Sequence, residues 1–208
     1  MFNIIVNERG ELVDTSRCEV LEQKLAYLWI EEDDCVLELG GRYGSVSVII
    51  NHKLKNKQEH VVIEPDNRVW DVLEFNKRIN NCKFKIIKGF LSKKKMSLIN
   101  LHECEGYGTR SVHSETSDIP TYTLGDIDMK FNVLVADCEG FLETFFDENP
   151  EFISDLRLVI FEADQEHVCN YAKVRDKLRE DNFEEILGGH QNVWIKKVDT
   201  QLLSQTDP

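Results

Sequence analysis

The sequence has no apolar run approaching the roughly 20 residues a membrane-spanning helix requires, so no membrane span is expected. Its start, MFNIIVNERGEL, has neither the basic opening nor the long apolar stretch of a secretory signal, which makes a cytoplasmic location the expectation. Cys18, Cys35, Cys82, Cys104, Cys138 and Cys169 include no CxxC pair and no close His at zinc-finger spacing. Free thiols are therefore expected, with Cys35 and Cys138 acting as small buried hydrophobes beside strand-like runs. Positive charge is outweighed, with 25 Lys and Arg against 38 Asp and Glu. A formal net charge of −13 argues against a broad footprint for nucleic acid, because phosphate binding draws on clustered Lys and Arg. The one compact basic run, Lys93 to Lys95, sits where a solvated turn is expected. There is no internal repeat or low-complexity tract, and Gln201 to Pro208 read as a frayed tail.

What remains is 208 residues with 41% hydrophobic composition, enough for one well-buried core and too few for two ordinary domains, so residues 1–208 read as one domain. Short apolar runs alternate with helical segments, the signature of a mainly parallel sheet with helices on both faces. The strands are expected at Cys35–Leu39, Val61–Glu64, Phe84–Lys88, Val133–Asp137 and Leu158–Glu162. Helices fit Ser45–Leu54, Arg68–Ile79, Leu142–Phe146 and Tyr171–Glu180, and Val69, Val72, Leu73 and Asn76 give the second of these a buried stripe. A further helix over Cys18–Trp29, with Val20, Leu21, Leu25 and Leu28 on one face, makes residues 1–31 a segment covering a sheet edge or a ligand cleft. Residues 98–123 carry Gly, Ser, Thr and Pro120 with little helical pattern, and read as a hairpin or loop insertion able to build a substrate site. FEEIL and NVWIKK around GGHQ predict a closing antiparallel hairpin.

The strongest motif is VLELGGRYGSVS, from Val36 to Ser47: a strand, an acidic residue, a Gly-rich turn and a helix start. Glycine permits a sharp turn and lets a ligand approach the backbone, and the helix N-terminus that follows favours an anionic group such as an amino-acid carboxylate. Gly40, Gly41 and Gly44 are thus candidate cofactor contacts, with Glu38 just before them. In a dinucleotide fingerprint the first glycine would fall at Leu39, which disfavours an NAD-dependent oxidoreductase. The spacing from Glu38 to Gly40 and Gly44 instead gives the acidic-x-Gly-x-x-x-Gly pattern of methyltransferases. VVIEP ends a second strand on Glu64, placed to accept hydrogen bonds from both ribose hydroxyls.

These residues resemble the FkbM-type methyltransferases. ELGGRYGSVS is similar to the family's first motif through Gly40, Gly44 and Ser47; EPDNRVWDVLEFNKRIN matches the second at Glu64, Pro65, Asn76 and Asn80; and TLGD with DCEGFLE resembles the third at Thr123, Leu124, Asp126, Asp137, Glu139 and Gly140. The similarity runs from about Glu38 to Glu162. Arg42, Gly41, Asp66, Asn67 and Gly125 depart from the pattern. The resemblance implies a class I methyltransferase Rossmann-like fold with a mainly parallel seven-stranded sheet, S-adenosyl-L-methionine as cofactor, and O-methylation of a small-molecule or carbohydrate acceptor. The departures keep open a non-catalytic cofactor-binding interaction module.

Methyl transfer from a sulfonium is an in-line displacement that gains from positioning in a dry cleft, and a neutral hydroxyl must also lose its proton. Asp137 is the first candidate for base or orienting group and Glu139 the second. Helix capping by Asp137 and loop ordering by Glu139 are the structural alternatives. His113, in the insertion, is a third candidate base. Glu162 and Asp164 end the fifth strand and, with His190 in the closing hairpin, are candidate acceptor contacts. Asp137, Glu162 and Asp164 are the kind of hard oxygen ligands that hold a divalent cation, although a metal is not the favoured expectation. Pro65 and Phe90 complete the cofactor candidates, and Tyr43, Tyr107, Tyr122 and Phe141 are further aromatic residues able to stack on adenine or a sugar.

Overall fold

A computed structural model describes residues 3–100 and 109–197. The chain runs through α1 (Val20–Trp29), β1 (Val36–Leu39), α2 (Ser45–Lys53), β2 (His60–Glu64), α3 (Trp70–Ile79), β3 (Lys85–Lys88), β4 (Phe90–Leu91), β5 (Met96–Asn100), β6 (Thr109–His113), β7 (Thr121–Tyr122), β8 (Val133–Ala136), α4 (Leu142–Glu148), β9 (Leu158–Glu162), α5 (Tyr171–Glu180), β10 (Phe183–Leu187) and β11 (Gln191–Lys196). Short helical turns cover Leu124–Asp126 and Pro150–Asp155.

Seven strands form one sheet in the order β10-β11-β9-β8-β1-β2-β3. β3, β2, β1, β8 and β9 are parallel, and β11 pairs antiparallel with both β9 and β10. The expected doubly wound sheet and closing hairpin are thus present. The central strands β1, β2 and β8 are buried at every residue, which is why they read as continuous apolar runs rather than alternating ones. Leu37, Leu39, Leu134, Ala136, Val159 and Phe161 face a core with α4 and α5, while Val36, Val133, Val135, Leu158 and Ile160 face α1 and α2.

At the N-terminal ends of the parallel strands, buried Asp34 accepts from Arg157 Nε at 2.7 Å and from Asn132 Nδ2 at 2.9 Å. Asn132 Oδ1 in turn accepts from the Cys35 amide at 2.8 Å. This clamp joins the starts of β1, β8 and β9. A buried carboxylate is tolerable only with such partners, so the clamp fixes strand register at the end of the sheet away from the motif glycines.

Three expectations change. In α1 the buried residues are Leu25 and Ala26, with Trp29 partly buried beside them, whereas Leu21 and Leu28 are exposed. Packing against α2 selects the stripe one position round from the one apolar spacing suggested. The insertion begins earlier than residue 98: β5 and β6 form an antiparallel hairpin from Met96, and β7 pairs in parallel with β4. Residues 3–13, expected to help cover a sheet edge or the ligand cleft, pack against α2, β2 and α3. Val6 bridges Leu12, and buried Ile5 packs with Tyr43, Val48, Val62, Val69 and Leu73.

Two asparagines a helical turn apart on α3 hold that N-terminal segment. Buried Asn76 accepts from the Val6 amide at 3.1 Å and donates to the carbonyls of Val6 and Tyr43 at 2.8 and 2.9 Å; Asn80 accepts from the Ile4 amide at 3.1 Å and donates to its carbonyl at 2.7 Å. Because Tyr43 lies in the Gly-rich turn, Asn76 ties the turn to α3. Replacing Asn76 with Ala removes the side-chain partner of three backbone groups, and the expected loss is on the order of 2–3 kcal/mol, measured as a lowered urea midpoint with new protease sensitivity in residues 3–13. An unchanged midpoint would show that Ile5 packing alone pins the segment.

Candidate functional site

The strand order reverses between β1 and β8, and the carboxyl ends of the strands at such a switch point open a crevice. Gly40 leaves β1 with φ 91°, and a Cβ there would lie 1.8 Å from the Asp137 carbonyl oxygen. A Cβ on Gly41 would lie 2.3 Å from Val62 Cγ1, and Gly44, with φ 84°, opens α2. Only glycine fits at Gly40 without moving the backbone after β8, and a side chain at Gly41 would have to move that of buried Val62. The turn therefore lies flat against the sheet and leaves a cleft that opens to solvent at the strand ends.

The cleft is acidic. Glu19, Glu22, Glu38, Glu64, Asp66, Asp137, Glu139 and Glu162 line it, and among the described residues Arg42 is its one basic side chain. Each carboxylate is held differently. Glu64 accepts from the amides of Gly41 and Arg42 at 3.1 and 2.7 Å on one oxygen and from the Asp66 amide at 2.7 Å on the other. Burial nevertheless pushes its carboxyl up to about 7, the nearby amides pulling against it. With three of about four lone-pair positions taken, Glu64 keeps limited capacity for a ribose hydroxyl. Asp66 lies in a two-pronged ion pair with Arg68, with contacts of 2.6 to 3.1 Å.

Asp137 sits at the end of β8, facing the cleft, and among the described residues its carboxylate accepts no hydrogen bond. Its surroundings raise its pKa well above the ordinary carboxylate range, first by burial and then by the negative charges of Glu162, Glu19, Asp164 and Glu139. It does not cap α4, whose N-terminus has no side-chain cap. Glu139 holds a left-handed φ of 51° and accepts from Gln165 Nε2 at 3.0 Å. Cys138, between them, is a thiol driven further from ionisation by burial and nearby carboxylates, so it is a poor nucleophile.

Of the other expected residues, Gly40, Gly41, Glu38, Glu64, Pro65, Phe90 and Phe141 line the cleft, with the two phenyl rings 6.4 Å apart. Glu162 lines it too, with one oxygen 2.5 Å from His190 Nε2, so His190 reaches the site through Glu162 rather than directly. Asp164 is engaged by Tyr171 Oη at 3.0 Å and the Gln165 amide at 2.8 Å and lies behind the wall. His113 is not brought to the cleft. It ends β6, exposed, 3.0 Å from Glu115, because the hairpin carries it away from the strand ends. Tyr43 is buried against Glu8 and Arg42, Tyr122 is outside the lining, and Tyr107 lies outside the described residues. No group of three or more His, Cys, Asp or Glu among the described residues is arranged to hold a metal ion, so Asp137, Glu162 and Asp164 do not converge on one.

Several lining residues went unrecognised in the sequence. Glu19 bonds Ser45 at the start of α2, and Glu22 bonds Gln191 of β11, so α1 forms one wall. Leu98, Thr109 and Ser111 of the β5–β6 hairpin also line the cleft. Nothing local marks Glu19 or Glu22; they reach the site only because α1 packs over α2 and β11. The Ser/Thr richness of the insertion was the available signal for Thr109 and Ser111.

The Glu64 environment gives a stability test. A carboxyl whose folded pKa is near 7 instead of 4.5 retains a proton that the unfolded chain has lost, so its contribution declines as pH rises from about 4.5 to 7. The melting temperature of the parent chain relative to Glu64→Gln is expected to fall across that window. A difference independent of pH would mean that Glu64 is ionised throughout.

No protein-family model matches the chain, and no curated protein matches it. Solved structures do share its architecture. A precorrin 8w decarboxylase of Methanobacterium thermoautotrophicum is 11% identical over 95% of this chain and 100% of that one, with a TM-score of 0.56. A precorrin-6y C5,15-methyltransferase of Geobacter metallireducens is 12% identical over 86% of both chains, at 0.54. A candidate RNA methyltransferase of Pyrococcus horikoshii is 14% identical over 88% of this chain and 84% of that one, at 0.51. At such identities the likeness is one of fold, and the fold is the α/β Rossmann-like fold of class I methyltransferases.

Proposed function

We propose that the chain is an S-adenosylmethionine-dependent methyltransferase of the FkbM type, acting on a hydroxyl of a sugar, glycan or related small molecule. The observation that carries this reading is the sign of the cleft. Its carboxylates outnumber its one basic side chain, at the switch point of a methyltransferase fold. S-adenosylmethionine carries a sulfonium and an ammonium against one carboxylate and is a net cation. A dinucleotide would bring its pyrophosphate to a cleft rich in acidic side chains, with Arg42 the one basic side chain among the described residues to receive it. The glycine cradle, the Glu64 position and the adjacent phenyl rings suit an adenosine group.

When bound, the cofactor supplies an electrophilic methyl group. The protein's part is to orient an acceptor and manage a proton. Asp137 faces the cleft without a hydrogen-bonded partner among the described residues, and its raised pKa makes it a stronger base than an ordinary carboxylate. It takes the hydroxyl proton, while Glu139 and Glu162 accept hydrogen bonds from neighbouring hydroxyls. Thr109 and Ser111 offer further partners, a polar wall that suits a polyhydroxylated acceptor. A nucleic-acid acceptor, the substrate named for the Pyrococcus protein, would have to bring phosphates to an acidic rim.

A radiolabelled methyl-transfer screen over sugars and glycans tests the assignment. Label is expected on a hydroxyl compound, with Asp137→Asn lowering kcat by roughly 100-fold or more at unchanged cofactor affinity. The rate should rise with pH through an ionisation that the variant lacks. Full activity in Asp137→Asn would remove Asp137 from the chemistry, and cofactor binding with no transfer to any acceptor would favour a non-catalytic module.

A further inference from the structure

Beneath the Gly-rich turn lies a buried polar group that the proton-transfer scheme does not use. His60, the first residue of β2, is fully buried in a strand that continues as Val61, Val62 and Ile63. Its Nε2 is 2.8 Å from Glu38 Oε2, and the other Glu38 oxygen accepts from Ser47 Oγ at 2.9 Å. The Phe84 ring packs on the imidazole at 5.2 Å between centroids and fixes its plane. Nδ1 has no hydrogen-bond partner among the described residues, which favours the tautomer with the proton on Nε2: His60 donates and Glu38 accepts.

This arrangement is poorly explained as a device for stability. An imidazole with one nitrogen unsatisfied and a carboxylate only 2% exposed both carry desolvation costs that apolar residues at positions 38 and 60 would avoid. What the pair gains is a carboxylate of fixed direction. Two of its roughly four lone-pair positions are filled from behind by His60 and Ser47, while the side chain lines the cleft. Glu38 lies on the α2 side of the sheet, one strand from Glu64. An adenosine group held at Glu64 would extend its amino-acid half across β1 toward Glu38.

We infer that His60 is a positioning residue, orienting Glu38 through the Nε2 hydrogen bond so that Glu38 receives the ammonium of the cofactor's amino-acid half. The inference rests on the cofactor reading above and adds to it which buried side chain sets amino-acid recognition. His60 touches no ligand itself. Its effect should therefore be confined to ligands that carry the ammonium.

The test is calorimetric titration with S-adenosylhomocysteine and with 5′-methylthioadenosine, which has the same adenosine half and no amino-acid group. For His60→Leu the expected result is about tenfold weaker binding of S-adenosylhomocysteine, the scale of one lost charge-assisted hydrogen bond, with 5′-methylthioadenosine unchanged. His60→Gln, which keeps a side-chain N–H, should recover much of the loss, and Glu38→Gln should reproduce the selectivity of His60→Leu. Equal weakening of both ligands, or none of either, would overturn the positioning role. If His60→Leu does not fold, Glu38→Gln and His60→Gln decide the matter by the same ratio. A parent chain that binds neither ligand would overturn the cofactor reading itself, and this inference with it.

Discussion

The site depends on one close approach, between the end of β1 and the end of β8. Gly40 donates to the Ile63 carbonyl at 3.0 Å, Asp137 donates to the Leu39 carbonyl at 3.0 Å, and the Asp137 carbonyl occupies the space where a Cβ on Gly40 would stand. Three strand ends are thereby tied at one residue with no side chain. Everything functional radiates from that knot: Glu38 precedes it, Glu64 closes over the following amides, and Asp137 is set across the crevice. A bulkier residue at position 40 would push β1 from β8 and open the cleft at its floor.

The two ends of the sheet divide their tasks. At the closed end, Asp34 is matched by Arg157 and Asn132, so its burial is compensated and register is fixed. At the open end, carboxylates crowd together with few cations, and burial and mutual repulsion push Asp137, Glu162, Glu64 and Glu19 upward. Such an end contributes little to stability. A net cation bound there would favour the ionised form of these groups, and an anion the protonated form.

Much of this was legible in the sequence, for identifiable reasons. Fully buried parallel strands must be apolar at nearly every position, so β1, β2, β8 and β9 stood out to within a residue. The knot needs glycine, so Gly40 and Gly41 stood out from local pattern, and Glu64 and Asp137 lie at the strand ends where the apolar runs stop. What depended on tertiary packing was not. Leu21 and Leu28 repeat at helical spacing as convincingly as Leu25 and Trp29, and only the surface of α2 decides which pair turns inward. His113 looked like a base over the crevice, but the β5–β6 hairpin leaves it beside Glu115. Glu19, Glu22 and His60 carry no local signature; their roles arise from contacts across 26, 169 and 22 residues of chain, respectively.

The central claim is that an acidic crevice at the switch point selects a cationic adenosine cofactor over an anionic one. Side-by-side calorimetric titration of the purified chain with S-adenosylmethionine and with NAD, at low and near-physiological salt, tests it most directly. The account predicts micromolar or tighter binding of S-adenosylmethionine that weakens as salt screens the cleft, and no measurable binding of NAD. Tight binding of NAD with none of S-adenosylmethionine would contradict it.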